Sequence, residues 1–276
     1  MQELTFQDSC LDLTDSKQYN ISIQASLDGF SLLILHAESN LLHLAYYMPI
    51  TLSNYSGLIR KTGEIIGKLG LTDNAFHKVT VYLSDRLVKL VPAHLYHEKT
   101  IRRTLSPQSP GQKKMAVTGM SLTDDYQMAF SADPALIDFF SEQFRGCIIK
   151  HETFPLINYL LKNASHDSYW LNCHFHSGYF FVTGVRENQI QFFNSFEYHS
   201  PDDVLFYLAS SIQAIGNHVP KILLSGNITE ESTLFKRLVQ FFPEAGFLED
   251  NCELLEATGW NSDITRFINP LLLDQP

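Results

Sequence analysis

Cysteine is scarce in this chain of 276 residues, and the four that occur lie far apart, at Cys10, Cys147, Cys173 and Cys252. No two of them form a C-x-x-C pair, so the sequence shows neither a disulfide framework nor the ligand spacing of a zinc ribbon. We therefore expect reduced thiols that pack in the core as small apolar side chains.

Runs of Lys and Arg are also absent. The chain has 20 basic against 30 acidic side chains, a formal net charge of −10. A surface that follows a phosphate backbone needs clustered positive charge. We expect no nucleic-acid partner.

Long apolar runs are missing as well, since none approaches the roughly 20 residues of a membrane-spanning helix. The opening segment, MQELTFQDSCLDLTDSK, lacks the basic and apolar regions of a secretory signal. We therefore expect a cytoplasmic protein with no membrane span. Its length exceeds that of most single domains, which favours two domains.

What the chain does contain is a repeated pattern, whose first copy begins at Asn20. Three alternating runs, ISIQAS, FSLLILHA and LLHLAYYMPI, are separated by turn residues, the first turn being Leu27-Asp28-Gly29. Such runs joined by an Asp-Gly turn are typical of a β-hairpin. The next segment has apolar residues at helical spacing, with Ser53 as the expected N-cap and Gly70 at the end, and KVTVYLS follows as a strand. The sequence predicts a β-β-β-α-β unit.

The second copy begins at Trp170. WLNCHF and YFFVTGV flank a turn at Ser177 and Gly178, IQFFNSFEY follows, and SPDDVLFYLASSIQAIG has the signature of a capped helix. KILLSGN then corresponds to KVTVYLS, and Gly178 corresponds to Gly29. A match in fixed order over this length indicates internal duplication.

Two segments of another kind lie between the copies. Residues 104–114, TLSPQSPGQKK, have the composition of an exposed, mobile loop. The chain then shows a strand, helix, strand, helix pattern, with Pro134 in a first helical turn. We expect a first half at residues 1–163, with an inserted module at about 93–150, and a second half at 164–276.

This order of elements resembles the actin-like (ribonuclease-H-like) ATPase fold of actin, the Hsp70 chaperones, sugar kinases and the bacterial proteins FtsA and PilM. The segment from Met128 to Leu161 is similar to PilM and FtsA, where a strand ending near an acidic residue, here Glu152, leads into an interdomain helix. The whole chain, including LVKLVPAHLY, resembles an uncharacterised bacterial family of this fold. The resemblance implies an α/β protein of two subdomains with a cleft between them.

The resemblance also says where chemistry would lie. In these ATPases the first hairpin turn of each half carries an Asp-x-Gly-Thr-like signature, whose aspartates organise Mg²⁺ at the nucleotide. With Gly29 and Gly178 on the signature glycines, Leu27 and His176 take the aspartate positions. Neither side chain supplies the negative charge that a hydrated cation needs. We expect no catalytic residue and no cofactor, with ATP and Mg²⁺ as the alternative.

Several residues remain as candidates for binding in the cleft. The segment LLSGN resembles a weakened form of the glycine pair that approaches the adenosine in the family. The candidate cofactor-binding positions are Asp28, Gly29, Glu152, Ser177, Gly178, Ser225 and Gly226.

The segment WLNCHFHSGYF also raises the question of a metal. On a strand, His174 and His176 share one face, whereas Cys173 lies on the other, so the three cannot converge on one ion. A site with two histidines would need a further ligand from elsewhere. We expect no metal here.

These observations favour a binding or scaffolding protein on a degenerate actin-like fold, in which the cleft or the inserted module grips a protein partner. The alternative is a nucleotide-binding protein similar to PilM and FtsA, with slow or no ATP hydrolysis. A third hypothesis is an enzyme that uses Glu152 as a base.

Overall fold

The computed structural model describes residues 3–72, 74–105, 115–164, 169–216, 220–248, 258–259, 271 and 274. The chain forms two compact units: residues 1–154, 253–259 and 270–276 make the first, and 155–252 and 260–269 make the second. The second unit begins at Pro155, whereas the sequence predicts a boundary at 163/164.

The first unit contains, in chain order, β1 (Leu4–Gln7), β2 (Tyr19–Ala25), β3 (Gly29–His36), β4 (Leu42–Pro49), α1 (Tyr55–Lys68), β5 (Lys78–Leu83), β6 (Val88–Pro92), α2 (Glu98–Leu105), β7 (Ala116–Ser121), β8 (Tyr126–Ala132), α3 (Pro134–Gln143) and β9 (Ile148–His151). Its main sheet has the strand order β1-β4-β3-β2-β5-β9. β2, β5 and β9 are parallel neighbours, so their carboxyl ends lie at one edge of the sheet.

Helix α1 follows the hairpins as the sequence predicts, but it begins one residue later. Its N-cap is Asn54, whose side chain accepts a hydrogen bond from the Gly57 N–H (2.8 Å), and not Ser53. Asn and Ser are comparably good N-caps, which is why composition did not distinguish them. Gly70 has φ +67°, the left-handed conformation that commonly follows a helix.

Helix α4 (Thr153–Asn163) begins in the first unit, and the second unit then contains β10 (Trp170–Phe175), β11 (Tyr179–Arg186), β12 (Gln189–Glu197), α5 (Pro201–Ala214), β13 (Lys221–Gly226), α6 (Thr233–Phe241) and β14 (Gly246–Phe247). Its strand order is β12-β11-β10-β13-β14. The order β4-β3-β2-β5 of the first unit thus recurs as β12-β11-β10-β13. The predicted duplication of a β-β-β-α-β unit is confirmed.

The alignment of the two hairpin turns needs a correction of one residue. In each hairpin, a backbone N–H closes the turn onto a carbonyl three residues later: Ser26 onto Gly29 and His176 onto Tyr179, both at 2.9 Å. Gly29 is therefore equivalent to Tyr179, and Gly178, with φ +89°, is equivalent to the residue before Gly29. Both turns contain a glycine, but only the backbone hydrogen bonds define which positions match.

The inserted module is a three-stranded antiparallel sheet of order β6-β8-β7. Ile101 and Leu105 of α2 form a small apolar cluster with Ala129 of β8. The module spans 88–132 and not the expected 93–150, because β9 pairs with β5 in the main sheet and α3 packs against α1. The expected mobile loop at 104–114 lies outside the described residues from 106 onward.

The core of the second unit lies between its sheet and the helices α5 and α6. It includes Cys173, Phe175 and Leu224 from the strands and Leu208 from α5. Phe206 of α5 lies outside this core and is 67% exposed.

Asp274 belongs to the first unit, where it accepts hydrogen bonds from the Tyr82 hydroxyl and from the Lys150 ammonium group (2.6 Å for Lys150). The Lys150 ammonium group also lies 4.4 Å from the ring centroid of Phe154. Within the described part of the chain, no helix is both long enough and apolar enough to cross a membrane.

Candidate functional site

In the first unit, polar side chains gather where β2, β5 and β9 end. Ser26 follows β2, Ser84 follows β5 and Glu152 follows β9. The carboxyl ends of parallel strands form the edge at which open α/β sheets bind ligands. The candidate binding residues of this unit therefore lie at the sheet edge where open α/β sheets bind ligands.

Glu152 is fully buried at this edge. Its carboxylate accepts hydrogen bonds from the Gln24 side-chain amide (3.2 Å) and from the Ser84 hydroxyl. A buried carboxylate is tolerated only when donors replace its water. The strand-end acid predicted from the sequence is thus held by side chains of β2 and of the residue that follows β5.

Asp85 is a partly buried acid in this unit, and sequence reasoning missed it. Its carboxylate accepts hydrogen bonds from the Leu87 N–H (2.7 Å), the Ser131 hydroxyl (2.9 Å) and the Tyr55 hydroxyl (3.1 Å). Burial raises the pKa of Asp85 above its usual range, although these three hydrogen bonds act to lower it. Its place two residues beyond a buried strand was the one signal that could have revealed it.

His151 joins the two acids through the backbone. Its ring is fully buried, with Nε2 2.9 Å from the Asp85 carbonyl oxygen and Nδ1 2.8 Å from the Thr153 hydroxyl. A carbonyl oxygen can only accept, so Nε2 carries the proton and Nδ1 accepts from Thr153. This arrangement ties the end of β9 to the residues that follow β5.

The turn after β2 is stabilised by its own side chains. The Ser26 hydroxyl donates to the Asp28 carboxylate at 2.6 Å. By the corrected alignment Ser26, and not Leu27, is equivalent to His176 of the second unit. Neither Ser26 nor His176 is acidic. The two signature aspartates are therefore expected to be missing whether the first turn is aligned on Leu27 or on Ser26.

In the second unit, Ser225 of β13 lies beside β10. The Asn172 side-chain amide donates to the Ser225 hydroxyl (3.2 Å) and to the Leu223 carbonyl (3.1 Å), and His174 Nδ1 lies 3.0 Å from the same hydroxyl. Ser225 is fully buried. This candidate residue therefore takes part in polar contacts between two strands of its own sheet.

The two histidines of β10 and its turn are neighbours. The ring centroids of His174 and His176 are 5.1 Å apart, and His176 stacks on Tyr179 at 4.6 Å. Cys173 lies in the core on the opposite face of the strand, where burial raises the pKa of its thiol to about 12. A thiol with so high a pKa is a poor nucleophile at neutral pH. That no metal binds at these three residues stays a prediction.

The glycines of the second unit have different structural roles. Gly226, at the end of β13, has φ +81°, and a Cβ there would overlap the carbonyl oxygen of Phe175 and lie 2.9 Å from its nitrogen. Gly178, next to Ser177 in the hairpin turn, also has positive φ, but a Cβ there would meet no atom within 4 Å. Close approach of two strands thus accounts for Gly226 without any ligand.

Two copies of a β-β-β-α-β unit, each with polar residues at the ends of its parallel strands, define a protein with the actin-like ATPase fold. The chain belongs to the family described as "Protein of unknown function (DUF3822)", whose model matches residues 8–245. A search of curated proteins found no match.

Solved structures agree on the fold. A Bacteroides thetaiotaomicron protein with actin-like ATPase fold and unknown function superposes with a TM-score of 0.76 and 18% identity, covering 92% of this chain and 100% of that one. The PilM-PilN type IV pilus biogenesis complex gives a TM-score of 0.61 and 13% identity, covering 92% of this chain and 95% of that one. At such identities, the likeness shows the fold alone.

Proposed function

We propose that this protein is a non-catalytic binding or scaffolding protein built on a degenerate actin-like ATPase fold. The observation that carries the proposal is the pair of equivalent turn positions, Ser26 and His176, where the resemblance to these ATPases calls for two aspartates. Phosphoryl transfer depends on positioning and on charge stabilisation by the metal and its ligands. A hydroxyl and an imidazole do not replace that negative charge.

Three carboxylates near the ends of the parallel strands of the first unit support this proposal. Asp28 accepts from the Ser26 hydroxyl, Asp85 accepts three hydrogen bonds, and Glu152 accepts from two side chains. Hard cations such as Mg²⁺ take carboxylate and water oxygens as ligands. Acids that are already engaged by donors of their own chain are poorly placed to provide them.

We propose that the binding partner of this chain is another protein. In one of the similar solved structures, PilM is in complex with PilN. In this chain, we propose that the inserted module, β6-β8-β7 with α2, grips the partner, since it is an addition to the duplicated units.

Calorimetry with ATP and Mg²⁺ on the purified protein tests the loss of chemistry. We expect no measurable binding heat and no phosphate release. Replacing both turn positions, Ser26→Asp with His176→Asp, restores the two negative charges, so we expect it to recover Mg²⁺-dependent ATP binding. The matched control is Leu27→Asp with His176→Asp, which adds the same charge one residue away, where an extended chain points to the opposite face.

ATP turnover by the wild-type protein, lost in Glu152→Ala, would show that the protein is an enzyme. Binding of ATP without turnover would instead support the alternative, a nucleotide-binding protein similar to PilM and FtsA. The observation that favours this alternative is the Ser225-Gly226 pair at the end of β13, where the family has glycines near the adenosine.

A further inference from the structure

Strand β7 lies at an edge of the inserted module's sheet. Among the strands that the structure describes, β8 alone pairs with it. An edge strand presents backbone N–H and C=O groups that can pair with another chain. The pairing of β7 with β8 determines which backbone groups of β7 face outward.

The hydrogen bonds at the β7-β8 turn fix which residues face β8. The Leu122 N–H donates to the carbonyl of Tyr126, the residue directly opposite, at 2.9 Å. In an antiparallel ladder every second pair is bonded in this way. Met120 and Thr118 therefore turn their backbone groups toward β8.

The intervening residues, Val117, Gly119 and Ser121, turn their backbone groups to the outer side. The residues opposite them on β8 provide an independent check. Ser131, opposite Val117, donates its N–H to the carbonyl of Leu87, which precedes β6, at 2.9 Å. β8 thus bonds to β6 at these positions, which leaves three outward N–H groups and three outward C=O groups on β7.

The other edge of the same sheet, β6, presents fewer N–H groups for pairing than β7. By the same alternation Val88, Leu90 and Pro92 face outward, but the Val88 N–H donates to the Arg86 carbonyl (3.1 Å) and Pro92 has no N–H, so that Leu90 alone presents an outward N–H beyond these. Lys89 adds a charge to the strand. Proline and lysine are common means by which natural edge strands avoid pairing. β7, with the sequence AVTGMS, has neither.

The occupant that suits β7 best is β7 of a second copy of this chain. An antiparallel pair of identical strands is self-complementary about a two-fold axis. With the axis at Gly119, Val117 of one copy lies opposite Ser121 of the other, and about six backbone hydrogen bonds can form. β7 has no charged side chain, so no like charges meet across the pair even though each copy carries a net charge of −10.

The packing beneath Gly119 keeps the centre of this edge flat. A Cβ at this position would overlap the Tyr96 hydroxyl and lie 3.2 Å from the ring carbon that bears it. Gly119 itself is exposed. The tyrosine thus excludes a side chain at the point where the two strands would cross the axis.

We propose that the outer edge of β7 is a self-association site, at which two copies of this protein pair their β7 strands antiparallel. One short ladder buries less than the roughly 1,000 Å² of a stable interface. The dimer is therefore weak.

The test is sedimentation equilibrium of the full chain over a concentration series, combined with amide hydrogen exchange at low and high concentration. We expect a monomer–dimer equilibrium in which the amides of Val117, Gly119 and Ser121 become protected as the dimer forms. The amides of Thr118 and Met120, bonded to β8, are protected at every concentration. This alternating pattern is specific to pairing at the outer edge.

Ser121→Pro removes one outward N–H and no hydrogen bond to β8, so we expect it to weaken the dimer at least tenfold while the circular dichroism spectrum is kept. Ser121→Ala retains the N–H and should dimerise as the wild type does. A monomer at every concentration, a dimer without protection at the three outward amides, or protection of these amides in the monomer would each overturn the proposal.

Discussion

The two units share a strand order, but the residues that follow their equivalent strands are of opposite character. Because Ala25 pairs with Leu83 and Phe175 pairs with Gly226, the end of β5 corresponds to the end of β13. Two residues further on, the first unit has the partly buried acid Asp85, and the second has Ile228, which lies in an apolar core. The hairpins and the helix that the two units share therefore specify the fold, whereas the residues that follow the equivalent strands differ in chemistry.

The largest effect that we expect comes from Gly226→Ala in the second unit. The new Cβ would overlap the backbone of Phe175, and φ +81° is unfavourable for alanine. We expect a loss of about 3 kcal/mol or more in the free energy of unfolding, measured by urea denaturation.

Gly178→Ala is the matched control, since its φ is also positive but its Cβ would meet no atom within 4 Å. It should cost about 1 kcal/mol. Equal losses for the two variants would mean that close approach to Phe175 does not constrain β13.

The next prediction compares the loss of one tyrosine hydroxyl in each unit. Tyr55→Phe removes a donor from the partly buried carboxylate of Asp85, and should cost about 2 kcal/mol. Tyr198→Phe removes a hydrogen bond to the neutral carbonyl of His176 (2.8 Å), and should cost about 1 kcal/mol. A larger loss of stability for Tyr198→Phe than for Tyr55→Phe would mean that the Asp85 carboxylate depends less on its donors than the geometry indicates.

Asp85 also predicts a pH dependence. Because burial raises its pKa, the folded state holds the proton at pH values where the unfolded state has lost it. Stability should therefore fall as pH rises from the usual aspartate pKa through the raised one. In urea titrations across this range, Asp85→Asn should lose this slope, and an unchanged slope would assign it to other groups.

The smallest effect concerns the caps of the equivalent helices. Ser200 and Asp203 form a reciprocal capping box on α5, whereas α1 is capped by the side chain of Asn54. Ser200→Ala and Asn54→Ala should each cost about 1 kcal/mol in thermal unfolding. Each removes one side-chain acceptor, and in Ser200→Ala the Asp203 carboxylate still accepts from the backbone N–H of residue 200.

The repeated unit could be predicted because its signals are local: alternating runs, a proline at the first turn of α5 and a glycine after each helix. The alignment of the two turns could not, since Leu27-Asp28-Gly29 and Ser177-Gly178 each offer a glycine and only the closing hydrogen bonds decide between them. Asp85 was missed because its donors, Tyr55 and Ser131, are distant in sequence.

The contact of Asp274 with Tyr82 has a consequence for the order in which the units fold. It joins residues 192 positions apart, whereas the strands of the second unit pair within a short, continuous segment. Contacts at long separation carry the larger entropic cost of closing a loop, and they tend to form late. On a chain that is synthesised from its amino terminus, the first unit therefore begins to fold first. Its contact between Tyr82 and Asp274 forms only after the second unit is complete.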